Sequence, residues 1–67
     1  MNLEEAKDMI TWVNIKAGVA EEDIDGLLDD AAISIHDDSH VLCTTDYVTC
    51  LYVKDTEGNW SIKYNNG

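Results

Sequence analysis

The chain reads as an α+β domain, with two N-terminal helices packed on a three- to four-stranded antiparallel β-meander. Three observations predict this. Apolar residues recur at helical spacing through the first half. The second half alternates apolar and polar residues in β-branched and aromatic runs. Short turn signals separate those runs.

The first helix starts behind Asn2, a good N-cap, with Glu5 three residues later as in a capping box. Leu3, Ala6, Ile10, Val13 and Ala17 then fall on one stripe, and Gly18 follows as a stop. Trp12 and Ile15 lie off the stripe, free for a second layer or a partner.

A second helix begins near Ala20. Glu21, Glu22 and Asp23 occupy its first turn, where the helix dipole favours negative charge. Ile24, Leu27, Leu28 and Ala31 form its buried face, and Gly26 weakens it by roughly 1 kcal/mol against alanine. On this helix Glu22, Asp25 and Asp29 share one side, while Asp23 and Asp30 point another way.

The strands follow. "AISIH" alternates with Ile33 and Ile35 in phase, and "DDSH" is a turn. "VLCTT" and "YVTCLYVK" have the β-branched and aromatic content of strands. "DTEGN" is a hairpin loop around Gly58. "WSIKY" brings Trp60, Ile62 and Tyr64 into phase, so Trp60 and Tyr64 are expected on the sheet face that meets the helices. Tyr47 and Tyr52 have opposite parity, so one of them faces out. The terminal "NNG" is expected to fray.

At 67 residues the chain is a single domain, 1–67, with a small core. Hydrophobic residues make up 45%, enough to argue for a folded chain rather than an acidic disordered tail. Fourteen acids against four lysines give a net charge of −10. That balance argues against direct binding of nucleic acid or of anionic membranes, both of which are met with Lys and Arg. The opening residues lack the basic region and apolar run of a secretory leader. Two cysteines are too few for a disulfide framework, so a cytoplasmic protein with reduced thiols is expected.

The candidate chemistries are weak. Setting Gly26 at the glycine of an EF-hand loop places Glu21, Asp23, Asp25 and Asp29 at ligand positions, but Ala32 then stands where the bidentate glutamate belongs. His36, His40, Cys43 and Cys50 are zinc-ligand types, yet H-x3-H-x2-C-x6-C is no usual zinc spacing. Neither nucleophile elbow nor phosphate-binding glycine loop occurs. No metal, no cofactor and no enzymatic activity are expected. A metal-binding module built on His36, His40 and Cys43 stands as a third reading, behind the two below.

The distinctive stretch is "EEDIDGLLDDAAISIHDD", residues 21–38, with eight carboxylates and no lysine or arginine. The plain readings are a solvated face or a halophile's coat. The run covers a helix, a strand and a turn, and no lysine or arginine stands between Lys16 and Lys54. Carboxylates one helical turn apart are ~5–6 Å from each other, comparable with neighbouring phosphates on a nucleic-acid strand. Such an array suits a groove built for a phosphate backbone.

In size, charge and lack of catalytic motifs the whole chain resembles small, acidic, phage-encoded host-takeover proteins that act as DNA mimics. Members of that class block histone-like HU proteins, restriction enzymes, CRISPR effectors or polymerase. The likeness is compositional, since the class shares no fold and no motif, and no residue is carried over from it. It implies an inhibitor of a basic DNA- or RNA-binding protein in the host bacterial cytoplasm, with a histone-like HU protein as the first target. The contact surface expected for it is Glu21, Glu22, Asp25, Asp29, Asp30, Asp37 and Asp38, extended by Asp46. The alternative is an acidic adaptor that binds a host protein through apolar residues around Trp12 and Ile15. A homodimer burying those two residues is also expected, with the acids outside the interface.

Overall fold

The computed structural model describes residues 1–66. Helix α1 spans Leu3–Lys16 and α2 spans Glu21–Asp30. Strands β1 (Ala32–Asp37), β2 (His40–Thr44), β3 (Thr49–Lys54) and β4 (Trp60–Asn66) follow. They form one antiparallel sheet in the order β1-β2-β3-β4, with both helices on one face. The α+β class and the helix-then-strand order match the sequence reading.

Local chemistry fixes the ends of α1. Asn2 Oδ1 accepts the Glu5 N–H at 2.9 Å, and Glu5 Oε1 accepts the Asn2 N–H at 3.1 Å, closing the capping box. At the far end Gly18, at φ 91°, lets the chain leave the helix. Its N–H donates to Ile15 O and the Val19 N–H donates to Asn14 O, both at 3.0 Å. The buried stripe of α1 is Ala6, Met9 and Ile10, with Val13 half-buried. Met9 takes a core place that the sequence stripe gave to its ends. Leu3, in the first turn, and Ala17, past the last, are exposed.

The sheet register sorts every side chain. On the inner face one row runs Ile33–Cys43–Cys50–Asn65 across the four strands, and the next runs Ile35–Val41–Tyr52–Ile62. Beyond them Lys54 faces Trp60, its ammonium 5.7 Å from the ring centroid. The outer face carries Ala32–Thr44–Thr49–Asn66, then Ser34–Leu42–Leu51–Tyr64, then His40–Val53–Ser61, with Asp37 beside His40.

Two bulges interrupt the pairing. One leaves His36 without a partner between Ile35 and Asp37. The other leaves Lys63 unpaired between Ile62, opposite Tyr52, and Tyr64, opposite Leu51. An extra residue inverts the alternation of everything beyond it. Tyr64 therefore stands on the outer face, 47% exposed, rather than beside Trp60 as simple alternation predicts. The tail differs too. Asn65 and Asn66 pair with Cys50 and Thr49 instead of fraying, and Gly67 lies outside the described residues. The third strand starts at Thr49. Tyr47 and Val48 sit in a turn where Thr45 Oγ1 accepts the N–H of each.

The core is Ala6, Met9, Ile10, Ile24, Val41, Cys43, Cys50 and Tyr52. No charged or polar side chain is buried among the described residues. The Cα radius of gyration is 10.9 Å, which equals that of a compact chain of this length, about 11 Å. The chain thus packs compactly around its own core.

Candidate functional site

Helix α2 carries six acids in ten residues. Its buried side is Ile24, packed with half-buried Leu27 and Leu28. That face anchors the helix and forces every acid outward. Glu21, Glu22, Asp23, Asp25, Asp29 and Asp30 are all exposed. The helix continues through Gly26, so these acids lie along a helix and not around a calcium loop.

The acids fall on two flanks. Glu22, Asp25 and Asp29 lie on one. On the other, Asp23 and Asp30 line a cleft of about 270 Å³ with Asp46 and Tyr47 of the β2–β3 turn, with Leu27 and Gly26 as its apolar wall. Tyr47, in the turn before β3, is 87% exposed, while Tyr52, on the inner face of β3, is fully buried. Of the expected contact residues, Asp30 and Asp46 are brought together here. Asp23, which sequence reasoning left out of the contact set, joins them. The signal for it was present, because Asp23 and Asp30 are seven residues apart, one on each side of Leu27 along the same stripe.

Asp37 and Asp38 lie elsewhere. Asp37 ends β1 and Asp38 follows in the β1–β2 turn, at the end of the strands opposite to the β2–β3 turn and a strand length of roughly 15 Å away. Both are partly satisfied within the chain. The Asp38 carboxylate is 3.2 Å from the N-terminal ammonium. Asp37 Oδ1 accepts the Ser39 N–H at 2.7 Å and lies 2.9 Å from His40 Nδ1. The His40 bond, then that of Ser39, holds the Asp37 carboxyl below its ordinary range. Among the described residues these are the only two ion pairs. No acid of α2, nor Asp46, has a cation beside it. Nine of the fourteen carboxylates stand between Lys16 and Lys54, where there is no lysine or arginine.

The histidines and cysteines do not converge. Cys43 lies on the inner face and His40 on the outer one, since successive strand positions alternate. Among the described residues no three groups of ligand type are placed to hold a metal ion. Cys43 and Cys50 are free and buried, directly opposite each other on β2 and β3. Burial pushes both thiols up, and at Cys50 a hydrogen bond with the Tyr52 hydroxyl works against it.

Trp12 and Ile15 are 63% and 38% exposed, off the core stripe as expected. Trp12 borders a second groove, of about 220 Å³, between α1 and the β3–β4 loop, with Met9, Lys16 and Trp60 as neighbours. No helix of the described residues is long and apolar enough to cross a membrane. Comparison with protein families, with curated proteins and with solved structures finds no match to this chain.

Proposed function

We propose that the protein is a non-enzymatic inhibitor of a basic, nucleic-acid-binding bacterial protein, and that its carboxylates stand in for DNA phosphates. The observation that carries this reading is the set of acids on α2 and Asp46, all exposed and none neutralised by a cation of the chain. Glu22, Asp25 and Asp29 repeat along one flank at the one-turn pitch, ~5–6 Å, and form the phosphate-like row. Glu21 extends that row toward the helix N-terminus. Asp23, Asp30 and Asp46 ring an apolar cleft beside Tyr47, which suits an inserted lysine or arginine: its stem meets Leu27, and its charge meets the carboxylates and the ring face. Asp37 and Asp38 form a second, weaker contact zone a strand length away. A phage-encoded takeover protein of this kind acts in the host cytoplasm, and a histone-like HU protein is the first target to test.

The test is competition. A purified HU protein is bound to labelled duplex DNA, and the acidic protein is added at rising salt. Displacement at low salt that fades steeply as salt rises supports the reading, because steering and affinity both rest on screened charge. No displacement at low salt rejects HU. The same assay run on the partner captured from bacterial lysate then decides the wider reading, and a captured partner that keeps its DNA ends it.

A second reading rests on the Trp12 groove. A large, mostly exposed indole beside a groove is the side-chain type that anchors protein interfaces. In that reading the protein is an adaptor, the acids serve solubility, and Trp12→Ala destroys partner binding where neutralised acids leave it intact.

A further inference from the structure

We propose that the outer face of the sheet is a self-association surface, on which a second copy of this chain docks sheet against sheet. The inference does not rest on the DNA-mimic reading.

Two features of the face converge. The first is a continuous apolar row. Leu42, Leu51 and Tyr64 are direct cross-strand neighbours on β2, β3 and β4, and with His36, His40 and the carboxylate of Asp37 they line a shallow groove of about 510 Å³. Tyr64 joins the row only through the Lys63 bulge. Regular pairing would have turned it inward beside Ile62. The bulge completes the row at the cost of a core aromatic.

The second feature is charge. A copy of a chain with net charge −10 repels another copy over most of its surface. Six acids sit on α2, three on α1, four in the three turns between strands, and Asp37 at the end of β1. The strand residues of the outer face carry one carboxylate, Asp37, at a corner and bonded to His40. Two copies can meet on this face with few opposed like charges, the Asp37 carboxylate lying at its corner. Stacking there also leaves both α2 helices on the outside, since the helices cover the other side of each sheet.

The face is small. At ~4.8 Å between strands and ~3.4 Å per residue, four strands give roughly 300–350 Å² in plan, well below the ~800 Å² per partner of a standard interface. The dimer is therefore weak and concentration-dependent. Its salt dependence is opposite in sign to that of binding a basic partner: salt screens the repulsion between copies and strengthens the dimer, while it weakens an acid–base complex. Failure of one proposal is thus distinguishable from failure of the other.

The experiment is sedimentation equilibrium from roughly 10 µM to 1 mM, the range for an interface of this size, at low and at high salt. The expected result is a monomer–dimer equilibrium that tightens with salt. Tyr64→Asp sets a carboxylate against its symmetry mate and should weaken the dimer at least tenfold. Leu51→Thr, which adds no charge, should weaken it too. Amide spectra of each variant confirm the fold, and Tyr64, half in solvent, is the substitution least able to disturb it. Trp12→Ala should leave the dimer unchanged. A monomer throughout at high salt overturns the proposal, as does a dimer that survives Tyr64→Asp or is lost with Trp12→Ala.

Discussion

Helices α1 and α2 lie on the same sheet and are built on different terms. Helix α1 closes its N-terminus with a reciprocal capping box, ends on a glycine with left-handed φ, and places Lys16 in its last turn, where the dipole favours a cation. Helix α2 has Ala20 at its N-cap with no side-chain bond, and no base in its last turn. Asp29 and Asp30 stand at the end where the dipole opposes them, for about 0.3–1 kcal/mol each. Glu21–Asp25 and Asp25–Asp29 are like-charged pairs one turn apart, for about 0.2–0.5 kcal/mol each. Gly26 adds roughly another 1 kcal/mol. Burial of Ile24, Leu27 and Leu28 holds α2 in place, and its surface is set against its own stability. The acids that local stability disfavours on α2 are the ones that the proposed binding role assigns to a partner.

The sharpest way to break this comparison is Ile10→Ala. Ile10 is fully buried in the core that α1 shares with the sheet. Its truncation should cost about 2–5 kcal/mol and lower Tm by on the order of 10–20 °C in a thermal melt. Leu28→Ala, on half-buried α2, should cost less.

Next is the acid set itself. Changing Glu22, Asp25, Asp29 and Asp30 together to Gln or Asn should weaken partner binding by about 1–4 kcal/mol, since exposed pairs contribute about 0.2–1 kcal/mol each. The same variant should melt at a higher temperature, because it relieves repulsion and the adverse dipole. Gain of stability with loss of binding in one protein is the outcome that separates α2 from an ordinary solvated helix. Neutralising Glu4 and Asp8 of α1 should leave binding close to wild type.

The third concerns how α1 is tied to the sheet. Asn14 Nδ2 donates to Tyr52 Oη at 3.0 Å, and burial pushes the Tyr52 phenol up to about 12. A phenol whose folded pKa exceeds its unfolded value stabilises the fold fully below about pH 10 and loses that contribution as pH rises toward 12. Alkaline unfolding in that window should cost on the order of 2–3 kcal/mol, and Tyr52→Phe should flatten the profile in a pH-dependent denaturant titration.

The smallest pair tests the termini. Asn2→Ala should destabilise α1 by about 1 kcal/mol by removing the cap. Gly26→Ala should stabilise α2 by about 0.5–1 kcal/mol, since a methyl there meets nothing within 4 Å. Chemical denaturation of both should give shifts of opposite sign.

Much of this was legible in the chain. Asn2, Glu5 and Gly18 act on residues within a turn of themselves, so the limits of α1 could be read directly. One of Tyr47 and Tyr52 does face out, although Tyr47 does so from the turn before β3 and not from the strand that its alternation suggested. Tyr64 was not legible, because the bulge at Lys63 is decided by pairing with β3, and one lysine in "WSIKY" carries no mark of it. The separation of Asp37 and Asp38 from the α2 acids was hidden in the same way. A continuous run in sequence crosses the sheet along β1 and ends at its other end. Met9 entered the core because the sheet lies against a slightly different side of α1 than the widest apolar stripe suggested.

The two sulfurs of Cys43 and Cys50 give the molecule a clock. They face each other across the two central strands, under the helices, and are 2% and 7% exposed. While they stay buried, the same burial that shields them pushes both thiols up and leaves little thiolate. An alkylating reagent must wait for the helical layer to lift from the sheet. Where reclosing is faster than reaction, the labelling rate measures the equilibrium of that opening, and where it is slower it measures the opening rate itself. Mass spectrometry counts the labels one by one. Two labels arriving together mean that the layers separate as a unit, and one before the other means that the sheet frays strand by strand.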